Sequence, residues 1–271
     1  MTPDVRAHAV AQAIAAERLE GWRPFDEHIA ALAELARGDV AFDGYLARFR
    51  DRHPPPRSQH GRRLGLRPAA PYLIPGTALL RNNFGAVSSE MLADLEYVAT
   101  AGRMVLWLCR PSVGPEDDAP DALDVLDVRV LHRHLFGDVY SWAGEYRTTE
   151  LRRGDQGFAP RATIATRMIR VLDDARAVVD ACGAYDDPRL GYELARLYAD
   201  YNQIHPFREG NGRTGALLLH GIAGRCGRLL DLSVASRDEW YSAARDSMPM
   251  LRDGRANHRP FLPILVRAVT S

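Results

Sequence analysis

Cysteine is scarce. The 271 residues contain three, Cys109, Cys182 and Cys226, far apart and odd in number. That excludes a disulfide framework and a cysteine-rich zinc site, and it suits buried thiols in a reducing cytoplasm. An excess of either charge is also missing. Lys+Arg and Asp+Glu both number 35, so the formal charge is +0 and no bulk attraction to nucleic acid or an acidic membrane is expected. No apolar run approaches the roughly 18 residues a membrane span needs. The start, Met1-Thr2-Pro3-Asp4, lacks a basic segment leading into an apolar stretch, so no Sec-type leader is expected. What remains is 46% apolar and 26% charged, ordinary for a globular chain long enough for one large domain or two modest ones.

Residues 4–50 read as three short helices. The first is Ala-rich and runs to about Glu20, with Gly21 as its C′ residue. The second starts near Asp26, read as an N-cap, and carries Ile29, Leu32 and Leu35 on one stripe. The third carries Phe42, Tyr45, Leu46 and Phe49 at helical spacing. Three small helices bury little alone, so this unit is expected to pack on the rest of the chain. Around residues 53–71, Pro54-Pro55-Pro56-Arg57 and scattered arginines read as an extended linker. Further helices are expected at 88–109, 121–135, 161–181, 187–203, 210–226, 236–247 and 256–268, with 111–121 a loop. One β element is expected, a hairpin between Tyr146 and Phe158 around a Gly-containing turn. The class is therefore all-α with one hairpin.

The segment richest in chemistry is His205-Pro206-Phe207-Arg208-Glu209-Gly210-Asn211-Gly212-Arg213. Leu190, Leu194, Leu197, Tyr198 and Tyr201 recur at three to four residues, so a helix delivers the chain to it. Pro206 stops that helix at His205. The glycines allow positive φ and close backbone approach. The Leu- and Ala-rich run from Thr214 to Cys226 then reads as a buried helix. Helix, tight loop, helix places free N–H groups and the positive end of a dipole at the loop, which is how proteins hold phosphate. Arg213 adds a guanidinium suited to phosphate oxygens. Glu209 beside a phosphate repels it unless a cation such as Mg²⁺ lies between them. A histidine at the mouth, His205, suits removal of a hydroxyl proton.

Two other phosphate motifs are set aside. Gly210-x-Gly212-x-x-Gly215, with Asp231 about twenty residues on, matches a dinucleotide fingerprint. That fold needs a strand before the glycines and a βαβ unit, and here a helix precedes them. A P-loop is excluded because no Gly-Lys-Ser/Thr follows.

His205 to Arg213 resembles the Fic signature, H-P-F-x-[DE]-G-N-G-R-x-x-R. Upstream, Pro75 to Asn82 and Leu131 to Thr148 resemble two further stretches of that domain, so the likeness covers about residues 72–268. The resemblance implies the Fic helical bundle with a β-hairpin flap. It implies transfer of AMP from ATP, with Mg²⁺, to a Ser, Thr or Tyr hydroxyl of a target protein. By position His205 is then the general base and Glu209 the Mg²⁺ ligand. Gly210, Asn211, Gly212 and Arg213 hold the phosphates, and Phe207 anchors the loop. The flap at 146–158, with Thr148 and Thr149, takes the target by strand addition. It also implies a bacterial protein of the cytoplasm, or one delivered by a secretion system.

Residues 4–50 resemble the small VbhA-type antitoxin that partners some bacterial Fic toxins. Its inhibitory motif, [ST]-x-x-x-E-[GN], is matched in part by Ala16-Glu17-Arg18-Leu19-Glu20-Gly21, so Glu20 is the implied inhibitory residue. Glu20 also ends a helix, where a carboxylate faces the unfavourable end of the dipole. The implied division is 1–52 antitoxin-like unit, 53–71 linker and 72–271 Fic domain. The chain departs from the pattern twice: Ala16 replaces Ser or Thr, and Ala216 replaces the final arginine. In the family that arginine pairs with the inhibitory glutamate or orients the γ-phosphate, which leaves Arg208 or Arg213 to fill its place. The departure leaves two alternatives to AMP transfer open: use of another nucleotide or phosphate-containing group, and a nucleotide-binding module without turnover.

Overall fold

The computed structural model describes residues 2–53, 71–110, 126–251 and 254–271. Most of the linker expected at 53–71, the loop expected at 111–121 and the first residues of the helix expected at 121–135 lie outside the described residues. Three helices open the chain: α1 (Pro3–Leu19), α2 (Asp26–Arg37) and α3 (Phe42–Arg50). The helices α4 (Ser89–Leu108), α5 (Val128–Phe136), α6 (Ile164–Ala181), α7 (Asp187–Ile204), α8 (Asn211–Arg225), α9 (Arg237–Asp246) and α10 (Leu262–Ala268) follow. The class is all-α, as expected.

Local chemistry explains most boundaries. Ser88 caps α4 by accepting from the Met91 N–H at 3.2 Å, and Asp186 caps α7 by accepting from Arg189 at 2.8 Å. Ser236 caps α9, with Glu239 three residues on. Asp26 is not the N-cap of α2. Phe25 holds that position, its N–H donates to His28 Nδ1 at 3.0 Å, and Asp26 sits in the first turn, where its charge suits the dipole. The helix expected from 256 is shorter: a 3₁₀ turn at Arg259–Phe261 leads into α10.

The hairpin is also shorter than expected. Strands β1 (Arg152–Arg153) and β2 (Gln156–Gly157) pair antiparallel, with Arg152 opposite Gly157 and Arg153 opposite Gln156. Gly154 has φ 59, and among the described residues His205 alone of the non-glycines has positive φ, so Asp155 does not. Glycine at the first central position is the type II′ pattern that suits a two-residue hairpin. Residues 146–151 are not strand. A second small sheet, unforeseen, pairs β3 (Leu229–Leu230) with β4 (Val269–Thr270) and ties the C-terminus to the end of α8.

The core sits around α8. Ala216, Leu217, Leu218, Leu219 and Ile222 are each at most 2% exposed. Helices α5 and α7 pack against α8, with α4 against α5 and α6 and α10 against α7. Helix α1 packs on α4, and Leu32, Tyr45 and Phe49 of the first three helices lie in the same hydrophobic core as α4 and α8. Tyr45 reaches so close to α4 that a Cβ on Gly102 would lie 2.6 Å from its ring. Its hydroxyl donates to the Val98 carbonyl at 3.0 Å. The first three helices are thus built into the core, which answers how they bury their apolar faces. No helix among the described residues is long and apolar enough to cross a membrane.

Candidate functional site

Helix α7 ends at His205, which adopts a left-handed backbone with φ 51 and ψ 63. Pro206 prevents helical continuation, and the left-handed residue turns the chain back. Arg147 holds this turn. Its side chain is fully buried and donates to the carbonyls of His205 at 2.8 Å, Ile204 at 3.2 Å, Ala159 at 2.6 Å and Thr149 at 2.8 Å. One guanidinium therefore joins the end of α7 to both limbs leading into the hairpin.

The loop after His205 is pinned from within. Phe207 is fully buried and stacks on His132 at 3.9 Å. The Gly144 N–H donates to His132 Nδ1 at 2.8 Å, so His132 Nε2–H donates to the Glu209 carbonyl at 3.0 Å. Burial pushes the His132 pKa down to about 3, keeping that pattern of donor and acceptor fixed. Asn211 spans the loop: Oδ1 accepts from the Phe207 N–H at 2.8 Å, and Nδ2 donates to the Phe207 carbonyl at 2.9 Å. Its side chain shapes the loop through its Oδ1 and one of its two Nδ2 hydrogens. Gly210 has φ 79, and a Cβ there would meet the Phe136 ring at 2.2 Å.

The loop and α8 form one wall of a 180 Å³ cavity. It is lined by His205, Arg208, Glu209, Asn211 and Gly212, by Arg153 of β1, by Tyr198, Trp240 and Tyr241, and by Glu20. The His205 ring stacks on Phe158 at 3.8 Å, and its Nδ1 lies 3.3 Å from the Asn202 carbonyl. Nδ1 can only donate to a carbonyl, so the Nε2 lone pair is left free. Burial first, then the charges of Arg153 and Arg147, lowers the His205 pKa to about 3. The ring is therefore neutral near neutral pH with Nε2 as its acceptor, and it is a weak base until negative charge enters the cavity beside Arg153.

Glu20 brings the first helices into this cavity. It is the C-cap of α1, and Gly21 with φ 107 turns the chain away. Its Oε1 would lie 1.7 Å from a Cβ placed on Gly212, so only glycine admits the contact. Its Oε2 is 3.4 Å from the Tyr241 hydroxyl, and its backbone carbonyl accepts from Tyr97 at 2.9 Å. The carboxylate thus lies at the N-terminus of α8, where N–H groups and the dipole favour an anion. A glutamate unfavourable at the end of its own helix is favourable at the start of another.

Arg213 does not line the cavity. It is 3% exposed and points into the core, with Nη2 2.5 Å from Glu96 Oε1, Nη1 3.2 Å from the Thr100 hydroxyl and 3.6 Å from Glu17 Oε2. Its guanidinium packs over Phe136 at 4.7 Å. Glu209 Oε1 is 3.8 Å from Arg213 Nη2 and accepts from the Gly210 N–H at 3.0 Å. Burial and the nearby Glu96 raise the Glu209 pKa, against the pull of Arg213. Ala216 is buried one turn further along α8 and presents nothing to the cavity. Thr148 and Thr149 lie before the hairpin strands. The Thr148 N–H already donates to the Tyr72 hydroxyl at 2.8 Å, and the Thr149 carbonyl accepts from Arg147.

The structure thus brings Glu20, His205, Glu209 and Gly212 together and leaves Arg213, Thr148 and Thr149 outside the cavity. Sequence reasoning missed Arg147, His132 and Arg153. The first two sit inside the stretch Leu131 to Thr148 already singled out, and two charged or titratable side chains among buried aromatics were the available signal.

Comparison with known proteins gives a consistent result. Residues 122–223 match the Fic/DOC family model, and residues 6–52 match the model for antitoxin VbhA. The chain is 31% identical over 163 residues to "Probable protein adenylyltransferase y4lH" of Sinorhizobium fredii, covering 60% of this chain and 80% of that protein. It is 29% identical over 180 residues to "Protein adenylyltransferase VbhT" of Bartonella schoenbuchensis, covering 65% of this chain and 35% of that one. Among solved structures, the BepC protein of Bartonella tribocorum with bound AMPPNP aligns with TM-score 0.59 at 19% identity, over 73% of this chain and 96% of that one. A Fic domain-containing protein of Bacteroides thetaiotaomicron aligns with TM-score 0.54 at 14% identity, over 98% of this chain and 88% of that one.

Proposed function

Because the chain belongs to the Fic/DOC family, we propose that it is a protein adenylyltransferase that moves AMP from ATP to a side-chain hydroxyl of a target protein, restrained by its own Glu20. The observation that carries this reading is the neutral His205, its Nε2 lone pair free, in one cavity with the N-terminus of α8. His205 Nε2 takes the target hydroxyl proton as the oxygen forms its bond to the α-phosphorus. The bond from that phosphorus to the bridging oxygen breaks, and pyrophosphate leaves. The first-turn N–H groups of α8, exposed by Gly210 and Gly212, hold phosphate oxygens. Arg213 acts from beneath, pairing with Glu96, lying against Glu17 and Glu209, and fixing the start of α8.

Glu209 fits a Mg²⁺ site of the kind that nucleotides complete. Its side chain is 41% exposed between the buried Phe207 and Gly210, and a hard cation bound with nucleotide needs one or two carboxylates plus phosphate oxygens. Bound there, Mg²⁺ would neutralise charge building on the phosphates.

The support for restraint is Glu20 itself. Its carboxylate occupies the anion position over Gly212, and the remaining 180 Å³ is below the roughly 300–1,000 Å³ of small-molecule sites. Glu20 has ordinary helical backbone at φ −85 and ψ −4, so Glu20→Ala removes the carboxylate without altering the chain path. Incubation with labelled ATP, Mg²⁺ and cell lysate tests the reading. Glu20→Ala should raise labelling by about tenfold or more, and adding His205→Ala should abolish it. Absence of transfer from the Glu20→Ala protein, with a known Fic enzyme active alongside, sinks the proposal. The family's final arginine is Ala216, which favours one second reading, transfer of a different phosphate-containing group; the added mass on the target separates the two.

A further inference from the structure

The chain contains no lysine, so any side-chain cation that meets a phosphate here is an arginine or a protonated histidine. Position 216 offers neither. Arg213 is committed to Glu96, Glu17 and Thr100 beneath α8. Among the described residues, the arginines that line the cavity are Arg153 and Arg208. They differ in how they are held. Both are half-buried, but no ring contact is described for Arg208 on the loop. Arg153 comes from β1 of the hairpin, and its guanidinium lies over the Phe158 ring at 5.3 Å and the Tyr241 ring at 5.9 Å. Its Nη1 is shut off from solvent and has no hydrogen-bond partner. A buried guanidinium N–H without an acceptor is costly to keep, and a phosphate oxygen entering this cavity would supply one. The Phe158 ring beneath it also stacks on His205, so the cation stands beside the reacting centre.

The geometry points to Arg153 as the arginine that binds the polyphosphate end of the nucleotide, in place of the side chain missing at position 216. This rests on the reading of the cavity as a nucleotide site. It moves the terminal phosphate contact from helix α8 to the flap. In the family pattern the final arginine is rigid with the phosphate loop. Here the corresponding cation rides on a two-stranded hairpin, so nucleotide and flap order each other. Glu20 lines the same cavity, so its carboxylate and the bound polyphosphate exclude each other there.

The test is calorimetric titration of the Glu20→Ala protein with ATP and with AMP, comparing Arg153→Gln and Arg153→Lys in that background. An arginine that reads the terminal phosphates should lose ATP affinity by about tenfold or more in Arg153→Gln, with AMP affinity within about twofold. Arg153→Lys, which keeps the charge and loses the fork, should fall between. Hydrogen exchange of residues 151–158 should slow on adding ATP and not AMP, and that difference should vanish in Arg153→Gln. Equal losses for ATP and AMP, or no loss for either, overturn the assignment. The experiment separates this inference from the proposed function: ATP binding that depends on Arg153 without transfer to any protein leaves the inference standing and removes the function. Transfer unaltered by Arg153→Gln does the reverse.

Discussion

His205 is the non-glycine among the described residues that holds a left-handed backbone, and the conformation costs an L-residue roughly 1–2 kcal/mol. Arg147 is what makes it persist. The last carbonyls of any helix lack internal partners, and here those of Ile204 and His205 are met by a buried cation at the negative end of the α7 dipole. The same guanidinium carries Thr149 and Ala159 at the base of the hairpin. Arg147→Met fills similar volume and leaves these carbonyls without their donor. With charged hydrogen bonds contributing about 1.5–3 kcal/mol each and not adding fully, we expect a loss of about 3 kcal/mol in chemical denaturation. We also expect reduced transfer in the Glu20→Ala background, because His205 loses its fixed direction. A destabilisation below about 1 kcal/mol would show that water replaces the guanidinium and that Arg147 is no clamp.

The hairpin converts register into a test of target docking. The Phe158 N–H donates to the Leu151 carbonyl at 3.1 Å, and antiparallel bonds alternate, so the Arg152 N–H points away from β2. Strand addition needs that outward N–H. Arg152→Pro removes it, while proline is tolerated on an edge strand. Labelling of a target protein should fall by about tenfold or more, with ATP affinity unchanged; labelling at the original rate would exclude docking along β1. Thr148 and Thr149, expected to dock the target, are engaged with Tyr72 and Arg147, and nothing in their residue types announced those partners. This marks where sequence reading stops. The helices were readable because Leu190, Leu194 and Leu197 recur at helical spacing, and the loop because Pro206, Gly210 and Gly212 dictate local geometry. Strands of two residues, as at Leu229–Leu230, are too short to show a period. That Arg213 faces the core, and Arg153 the cavity, depends on Glu96 and Phe158, more than a hundred residues and five residues away respectively. Such placement is set by packing between elements rather than by pattern within one.

The first three helices share one core with the rest, so the restraint proposed for Glu20 would be continuous with folding, and its pH dependence would follow from the whole chain. Burial lowers the pKa of His132, His205 and His220 to about 3 and of His134 to about 4, from an ordinary value of 6.5. The unfolded chain therefore binds more protons than the folded one below pH 6.5, and stability falls as pH drops through that window, by ~1.4 kcal/mol per pH unit for each histidine. Glu17, fully buried at the contact between α1 and Arg213, acts in the opposite sense. Burial, partly offset by Arg213, raises its pKa to about 8 from 4.5. The folded chain then binds the extra proton between those values, so this group's contribution declines as pH rises toward 8. Between pH 4.5 and 6.5 these four histidines, with His28 lowered in the same sense, outweigh Glu17 and the raised Glu209 and Asp200, and stability climbs with pH. Between 6.5 and 8 Glu17 acts without the histidines, and stability falls. Thermal unfolding followed across pH should therefore show a maximum near about pH 6.5. Glu17→Gln keeps the hydrogen bond from Thr100, removes the titration, and should flatten the alkaline limb while leaving the acid limb in place. Because Glu17 lies one helical turn before Glu20, the alkaline loss in the parent protein should also appear as rising transfer activity from pH 7 to 8.5. Glu17→Gln should suppress that rise, and a rise that survives the substitution would assign it to another group.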